Sequence, residues 1–346
     1  MRLIFLITLL LSTNFLSAQL TDVAFVGNYC KGMALQGNNL FAIGNNRIYT
    51  INITDTLPTS PILFLDGLDN PYSLSLNDND LYISEYTINK ILKVNHTDQP
   101  PTPITITNTI SGPTETLLIG NELYISEHLG NKISKINITD SISAPSDVVL
   151  GLNGPTGLCL KGNILYISEY LGNKISKIDI TSNSPIITNV VTGLNNPSGL
   201  ALHGNYLYVS ETGAGKISKI DVTEPTPSPI DVVTGLNDPF TLIINDLDIY
   251  IVEYSGGKVS KFTDHLLSTH TIVDNRNFSL FPNPSSGMIT ISGIGNNQNY
   301  TIFNILGERI SDGTISNGES IDIRSFLNGI YFLKLETGKS IKIIKK

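Results

Sequence analysis

The sequence predicts an all-β protein built from repeats, and three observations carry that expectation. A short phrase returns at a fixed interval, each copy alternates apolar and polar residues between turn signals, and the composition favours strands. The phrase reads LYISEY from Leu81, LYISEH from Leu123, LYISEY from Leu165, LYVSET from Leu207 and IYIVEY from Ile249, 42 residues apart each time. A diverged copy, LFAIGN, begins at Leu40, 41 residues before Leu81. Self-similarity at such a period marks an array of supersecondary units. Tryptophan is absent while Ile, Thr, Asn, Ser, Gly and Tyr abound, the profile of short strands joined by turns.

From the N-terminus, Met1-Arg2 precedes an apolar run from Leu3 to Leu11, and Leu16-Ser17-Ala18 precedes Gln19. A positive start, a short apolar stretch and small residues at the cut are the layout of a secretory signal peptide, here residues 1–18. The run is too short to span ~30 Å of hydrocarbon as a permanent helix, and no later stretch reads as a transmembrane segment. The formal net charge is −8 and the lysines are spread evenly, so no basic patch offers itself to a phosphate backbone and nucleic acid is not an expected partner.

One unit, from Gly193, reads GLNNPSGLALHGNYLYVSETGAGKISKIDVT. Alternating segments at Gly199 to Leu202, Tyr206 to Ser210 and Lys216 to Val222, with a fourth near Asp231 to Thr234, are separated by Asn-Pro and Gly-Asn turns. Four such segments in one unit are the strands of an antiparallel meander, the size of a propeller blade. Six copies make a six-bladed β-propeller over residues 19–265. The last copy ends after its third strand, and Thr21 to Val26 stands in the frame of an outermost strand, so pairing the two would close the ring and remove two open sheet edges. Cys30 and Cys159 fall in blades one and four, too far apart for a disulfide that needs Cα atoms within ~7 Å, and two free thiols are expected. The Asn-x-Thr triplets that end several third strands are read as turn residues.

After a linker, residues 266–277, the period vanishes. Residues 278–346 carry alternating segments at Met288 to Ser292, Tyr300 to Ile305, Ser320 to Ile323 and Ile330 to Leu335, the pattern of a small immunoglobulin-like β-sandwich.

The GLxxPxGL and LYISEYxxNKISKI wording resembles NHL repeats and the streptogramin lyase-like and gluconolactonase-like six-bladed propellers, over roughly Leu20 to Thr263. The C-terminal segment resembles the type IX secretion system (Por) C-terminal sorting domain of Bacteroidetes. Pro282, Asn283, Pro284 and Gly287, then Gly329 and Tyr331, and the terminal lysines carry that resemblance. It implies the type IX secretion machinery as a partner through residues 278–346, an extracellular or outer-membrane-surface location, and removal of the sorting domain between Thr263 and Asn277.

Chemistry is expected where the GLNNP and SEYxxNK loops emerge together. Glu85, Glu127, Glu169, Glu211 and Glu253 recur there, each followed five residues later by Lys90, Lys132, Lys174, Lys216 or Lys258. A carboxylate ring suits a divalent cation or acid–base work, but the hairpin brings each Lys beside its Glu, and an exposed cross-strand pair is the expected reading. The next residues are Tyr86, His128, Tyr170, Thr212 and Tyr254, and the rings among them suit stacking on a sugar or peptide, or packing on a neighbouring blade. One repeat position after the loop proline reads Lys31, Tyr72, Thr114, Thr156, Ser198 and Phe240. The following one reads Gly32, Ser73, Glu115, Gly157, Gly199 and Thr241. These should rim the channel mouth, and Lys31, Tyr72, Glu115 and Phe240 depart most from the repeat. The expected ligand-binding set is therefore Lys31, Tyr72, Glu115, Phe240, Tyr86, His128, Tyr170 and Tyr254, with no catalytic residue assigned and the metal left open. The sequence reads as an exported propeller binding a glycan, peptide or surface ligand. A metal-dependent lyase or lactonase centred on Glu115 and His128 is the alternative, and a structural surface component the third reading.

Overall fold

The computed structural model describes residues 20–139, 144–264, 279–294, 298–304, 308–335 and 340–346. The expected signal peptide and linker lie outside them. The chain divides into two compact units, Met1–Asp264 and His265–Lys346.

In the first unit the described residues form six four-stranded antiparallel sheets, each a meander. Their innermost strands are Met33–Gln36, Pro71–Asn77, Pro113–Ile119, Pro155–Lys161, Pro197–His203 and Pro239–Asn245. Each touches the next, and the first also touches the sixth, so the sheets form a ring of six blades. Closure is as the sequence implied: Leu20–Phe25 pairs antiparallel with Lys258–Thr263 and supplies the outermost strand of blade six.

The repeated phrase is the second strand of each blade, and in blades two to six its LYISE segment is buried on both faces. Leu81, Tyr82, Ile83, Ser84 and Glu85 are all 3% exposed or less. Side chains alternate across a strand, and the alternation here serves two neighbours. Leu81 and Ile83 pack with Phe41 of blade one, while Tyr82 packs with Leu123 and Ile125 of blade three. The same exchange recurs between Tyr124 and Leu165 with Ile167, and between Tyr166 and Leu207 with Val209. Tyr250 of blade six meets Leu40 and Ala42 of blade one in the same way, alongside Val23 and Ala24 of the closing strand.

Each second strand ends on its glutamate, directly opposite the lysine that opens the third strand. The pairing was legible, but the glutamates are not at the surface: they are 1–3% exposed. The loop that enters each blade folds over the carboxylate and donates a backbone N–H to it. Asp69, Ser111, Asn153, Asn195 and Asn237 are the donors, at 2.7–3.0 Å. Lysine Nζ stands 3.2–3.5 Å from the carboxylates of Glu127, Glu169, Glu211 and Glu253. Ser176, Ser218 and Ser260 donate to the last three from the third strand.

A second clip runs between blades. The Asn of the xxNK turn adopts a left-handed conformation, as at Asn131 (φ 53°), where Asn is tolerated better than most residues. The side-chain Oδ1 of Asn89, Asn131 and Asn173 accepts from the backbone N–H of Gly112, Gly154 and Asn196 on the following blade, at 2.8–2.9 Å. Asn52, Asn95 and Asn137 accept from the Thr two residues on, the Asx turn expected of those triplets. Cys30 and Cys159 are free.

In the second unit two sheets face each other. One is ordered Ser279–Phe281, Met288–Ser292, Ser320–Asp322; the other Arg309–Ile315, Gln298–Asn304, Gly329–Leu335, Ser340–Lys345. Ile289, Ile291, Ile302, Leu333, Leu335 and Ile343 fill the space between. Three strands were not expected from sequence, at Ser279–Phe281, Arg309–Ile315 and Ser340–Lys345. The last holds the terminal lysines together with Ile341, Ile343 and Ile344, and it pairs along Gly329–Leu335. Asn283 holds it from the side: its Nδ2 donates to Lys342 O at 2.6 Å and its Oδ1 accepts from Ile344 N at 2.8 Å. Tyr331 Oη donates to Leu327 O, and Gly287 O accepts from Ile323 N.

Removing one buried carboxylate strands its lysine, its serine and a loop N–H. Glu169→Ala is expected to lower the unfolding free energy by about 3 kcal/mol, with Glu169→Gln losing less because it retains an acceptor. Urea denaturation of the purified chain measures both, and a loss below about 1 kcal/mol for the alanine variant would place the glutamate among weak surface pairs.

Candidate functional site

On the loop face the channel opens into a cup of about 330 Å³. Its aromatic wall comes from two repeat positions. The residue after the buried glutamate contributes His128, Tyr170 and Tyr254; the residue after the loop proline contributes Tyr72 and Phe240. Because each glutamate is pinned to its loop, the next side chain is held pointing over the channel.

The rings form a nearly continuous belt. Tyr29 meets Tyr254 at 5.7 Å between centroids, Tyr254 meets Phe240 at 6.3 Å, and Phe240 meets Tyr72 at 5.5 Å. Tyr72 stacks on Tyr86 at 4.8 Å, and the belt continues through His128 at 6.1 Å to Tyr170 at 6.2 Å. It is interrupted at blade five, where Thr212 takes the aromatic slot and opens a 3-10 turn, Thr212–Ala214. Thr212 Oγ1 donates to Pro239 O at 2.7 Å, and Gly213 adds no side chain, so the belt has one low side.

Asp238 closes the polar part of the lining, its Oδ2 accepting from Ser255 Oγ. Burial lowers the His128 pKa, with the carbonyls of Pro155 and Gly154 acting in the opposite direction. Burial likewise raises the phenols of Tyr72, Tyr170 and Tyr254, so the cup presents neutral hydroxyls at neutral pH.

Three residues expected at the mouth sit elsewhere. Lys31 is 5% exposed and lies behind the wall, its Nζ 3.9 Å from the Tyr72 ring centroid and 5.8 Å from that of Tyr254, donating to Asn70 Oδ1. Burial brings its pKa down to about 8. Tyr86 backs Tyr72 rather than lining the cup. Glu115 lies deeper, at a neck with only about 10 Å³ of free space and in a second chamber beyond it. Glu115 and His128 therefore do not share a cavity. The repeat positions were readable; the depth and direction of a side chain at each were not. Thr114, Thr156 and Ser198, in the post-proline position, are buried and hydrogen-bond to a carbonyl of the next blade. The low side at Thr212 and Gly213 was not read from the sequence, although Thr212 is the non-aromatic member of its repeat column. Asp238 takes the left-handed position before the proline (φ 52°), where blades two to five have Asn or Gly and blade one has Tyr29 (φ 61°).

Residues 279–346 match the family model of the secretion system C-terminal sorting domain. No curated protein matches the chain by sequence. Among solved structures, a gluconolactonase from Xanthomonas campestris superposes with a TM-score of 0.59 at 12% identity, covering 71% of this chain and 89% of that one. A streptogramin B lyase gives 0.55 at 16%, covering 71% and 96%, and a chain of a nidogen/laminin complex gives 0.55 at 16%, covering 67% and 95%. At these identities the likeness is one of fold.

The Glu115 carboxyl, half-buried in the channel, is pushed up to about 8 by partial desolvation, the Thr116 N–H acting against the shift. A carboxyl whose folded pKa exceeds its unfolded one holds its proton longer in the native state, so stability falls as pH rises from the unfolded pKa through about 8. The wild-type chain should thus lose ground to Glu115→Gln between about pH 4.5 and 8, by on the order of 2 kcal/mol. Urea unfolding of both at pH 5 and pH 8 measures this, and a pH-independent difference would show that Glu115 titrates like an exposed carboxylate.

Proposed function

We propose that this exported chain, whose residues 279–346 form a type IX sorting domain and direct it to the cell surface or beyond, is a binding protein whose loop-face cup takes a sugar ring of a glycan. The observation that carries the reading is the aromatic belt around a cavity at the small end of ligand pockets, which run from roughly 300 to 1,000 Å³. Charge argues for a neutral ligand: the Lys31 ammonium behind Tyr72 and Tyr254 opposes a cation, and the Asp238 carboxylate in the lining opposes an anion. Hydroxyls of Tyr72, Tyr170 and Tyr254, with the His128 ring, offer both donors and acceptors to a polyhydroxylated ring whose apolar face lies on an aromatic one. The low side at Thr212 and Gly213 gives the rest of a chain a way out.

The lyase or lactonase alternative needs an acid–base or metal centre at the mouth. The repeated carboxylates are already engaged by lysines, serines and loop N–H groups, and Glu115 is separated from His128 by the neck.

Glycan-array binding of the purified full chain tests the reading, with Tyr170→Ala expected to weaken the retained glycan about tenfold, near 1.4 kcal/mol, at unchanged melting temperature. Retention of aromatic peptides with no glycan would replace a sugar by a peptide ligand. Calcium and EDTA should leave the melting temperature in place; a shift of several degrees at millimolar calcium would favour the enzyme alternative.

A further inference from the structure

Beyond the neck the channel widens into a chamber of about 290 Å³. Half-buried Leu117, Leu200 and Ile243 line it among the polar edges of the innermost strands, while the side chains of Met33, Leu74 and Leu158 stand behind, in the cores between blades. Leu35, Leu76 and Leu118 line it toward the face opposite the loops, where they are half-buried and the chamber meets solvent.

Glu115 reaches into this chamber from a position that packing keeps small. A Cβ at Gly32, Gly157 or Gly199, its counterparts, would lie 2.6, 2.2 or 2.6 Å from a carbonyl oxygen of the next blade. A glutamate meets no packing need there. Among the described residues its carboxyl makes no side-chain hydrogen bond or ion pair, and the nearby Thr116 N–H donates to Ser73 Oγ at 3.1 Å. A local rule broken at a cost, beside a cavity, points to a ligand rather than to the fold. A metal ion would meet one carboxylate among leucines, whereas metal sites gather several oxygen ligands. The hydroxyls of Ser75 and Thr116 are bonded to each other.

We propose that this chamber is a second binding site, independent of the cup, for a small molecule with an apolar body and a single primary ammonium head that pairs with Glu115. Half-buried Leu35, Leu76, Leu117 and Leu118 take the body, and the half-buried carboxylate, which has no side-chain partner of its own, takes the ammonium.

Calorimetric titration of the full chain at pH 7 with n-hexylamine, 1-hexanol and hexanoate tests this. Hexylamine should bind at one site at least about tenfold more tightly than hexanol, and hexanoate more weakly than either. Glu115→Gln should bring hexylamine to the hexanol level and leave hexanol unchanged. Tyr170→Ala, in the cup, should alter neither, which separates this site from the glycan reading. A measurement that needs no variant is proton release: Glu115 must ionise to pair, so hexylamine binding at pH 7 should release close to one proton, seen as a heat that varies with the buffer's ionisation enthalpy. Absence of saturable hexylamine binding, equal affinity for amine and alcohol, or loss of amine binding in Tyr170→Ala would each overturn the proposal.

Discussion

Much of this propeller hangs on a buried glutamate at the end of the second strand. In blades two to six that carboxylate is removed from water and compensated by a loop N–H, and in four of them by a lysine across the hairpin. Truncating one partner of such a group leaves the other buried and unpaired, so the sites resist change more than exposed pairs would. The carboxylate also has a positional role. It locks the loop that leads into the innermost strand against the turn that leaves the second strand, and those two segments supply both aromatic positions of the cup. The geometry of the cup is therefore inherited from a fold-level constraint, and its chemistry comes from the one residue that follows each constrained position.

Blade one shows what happens where the constraint is absent. Gly44 takes the glutamate position, because a Cβ there would lie 2.1 Å from Val26 O, and the hairpin shortens to Asn45-Asn46, both with positive φ. That pair suits the tight two-residue turns of twisted hairpins. The shorter turn lacks the xxNK asparagine that clips the next blade in blades two to four, and the Lys31 ammonium reaches Asn70 Oδ1 at the corresponding boundary. Lys31 thus departs from the repeat for a reason internal to the ring. Its ammonium beneath Tyr72 and Tyr254 fixes those rings and sets the sign of charge behind the wall.

The period made the fold legible, because each copy of LYISE must satisfy two neighbours at once: Leu and Ile face the preceding blade and Tyr the following one. Alignment of the copies also placed Tyr72, Phe240, His128, Tyr170 and Tyr254 on the loop face, where the structure joins them. It could not say that Lys31 turns behind the wall, that Tyr86 serves as backing for Tyr72, or that Glu115 lies past the neck. Those outcomes depend on side-chain direction and on how far an innermost strand has descended along the channel, and a repeat position encodes neither. The glutamate–lysine register was equally plain, yet burial of the pair depends on a loop folding over it, a contact 16 residues distant in sequence. In the C-terminal unit the final strand was legible in the alternation of Ser340, Ile341, Lys342 and Ile343 and went unread, and the structure turns Ile341 and Ile343 to the core.

Closure imposes an order on the whole unit. Blade six joins Leu20–Phe25, at the start of the described chain, to Lys258–Thr263, at the end of the propeller. Contacts of such separation carry the largest loop-closure cost and form after local hairpins. Blades one to five can each form from contiguous sequence; blade six requires both ends. Until it forms, Val23, Ala24, Tyr250 and Val259 have no shared core, and the outer edge of Lys258–Thr263 has no cover. The cup depends on that last step as well, since Tyr254 and Phe240 come from blade six while Tyr29 and Lys31 come from the segment just after the closing strand. Tyr254 then meets Tyr29, and Lys31 lies against both Tyr72 and Tyr254. The wall of the candidate site is thus completed by the same contact that completes the ring, which ties binding competence to closure rather than to the folding of any single blade.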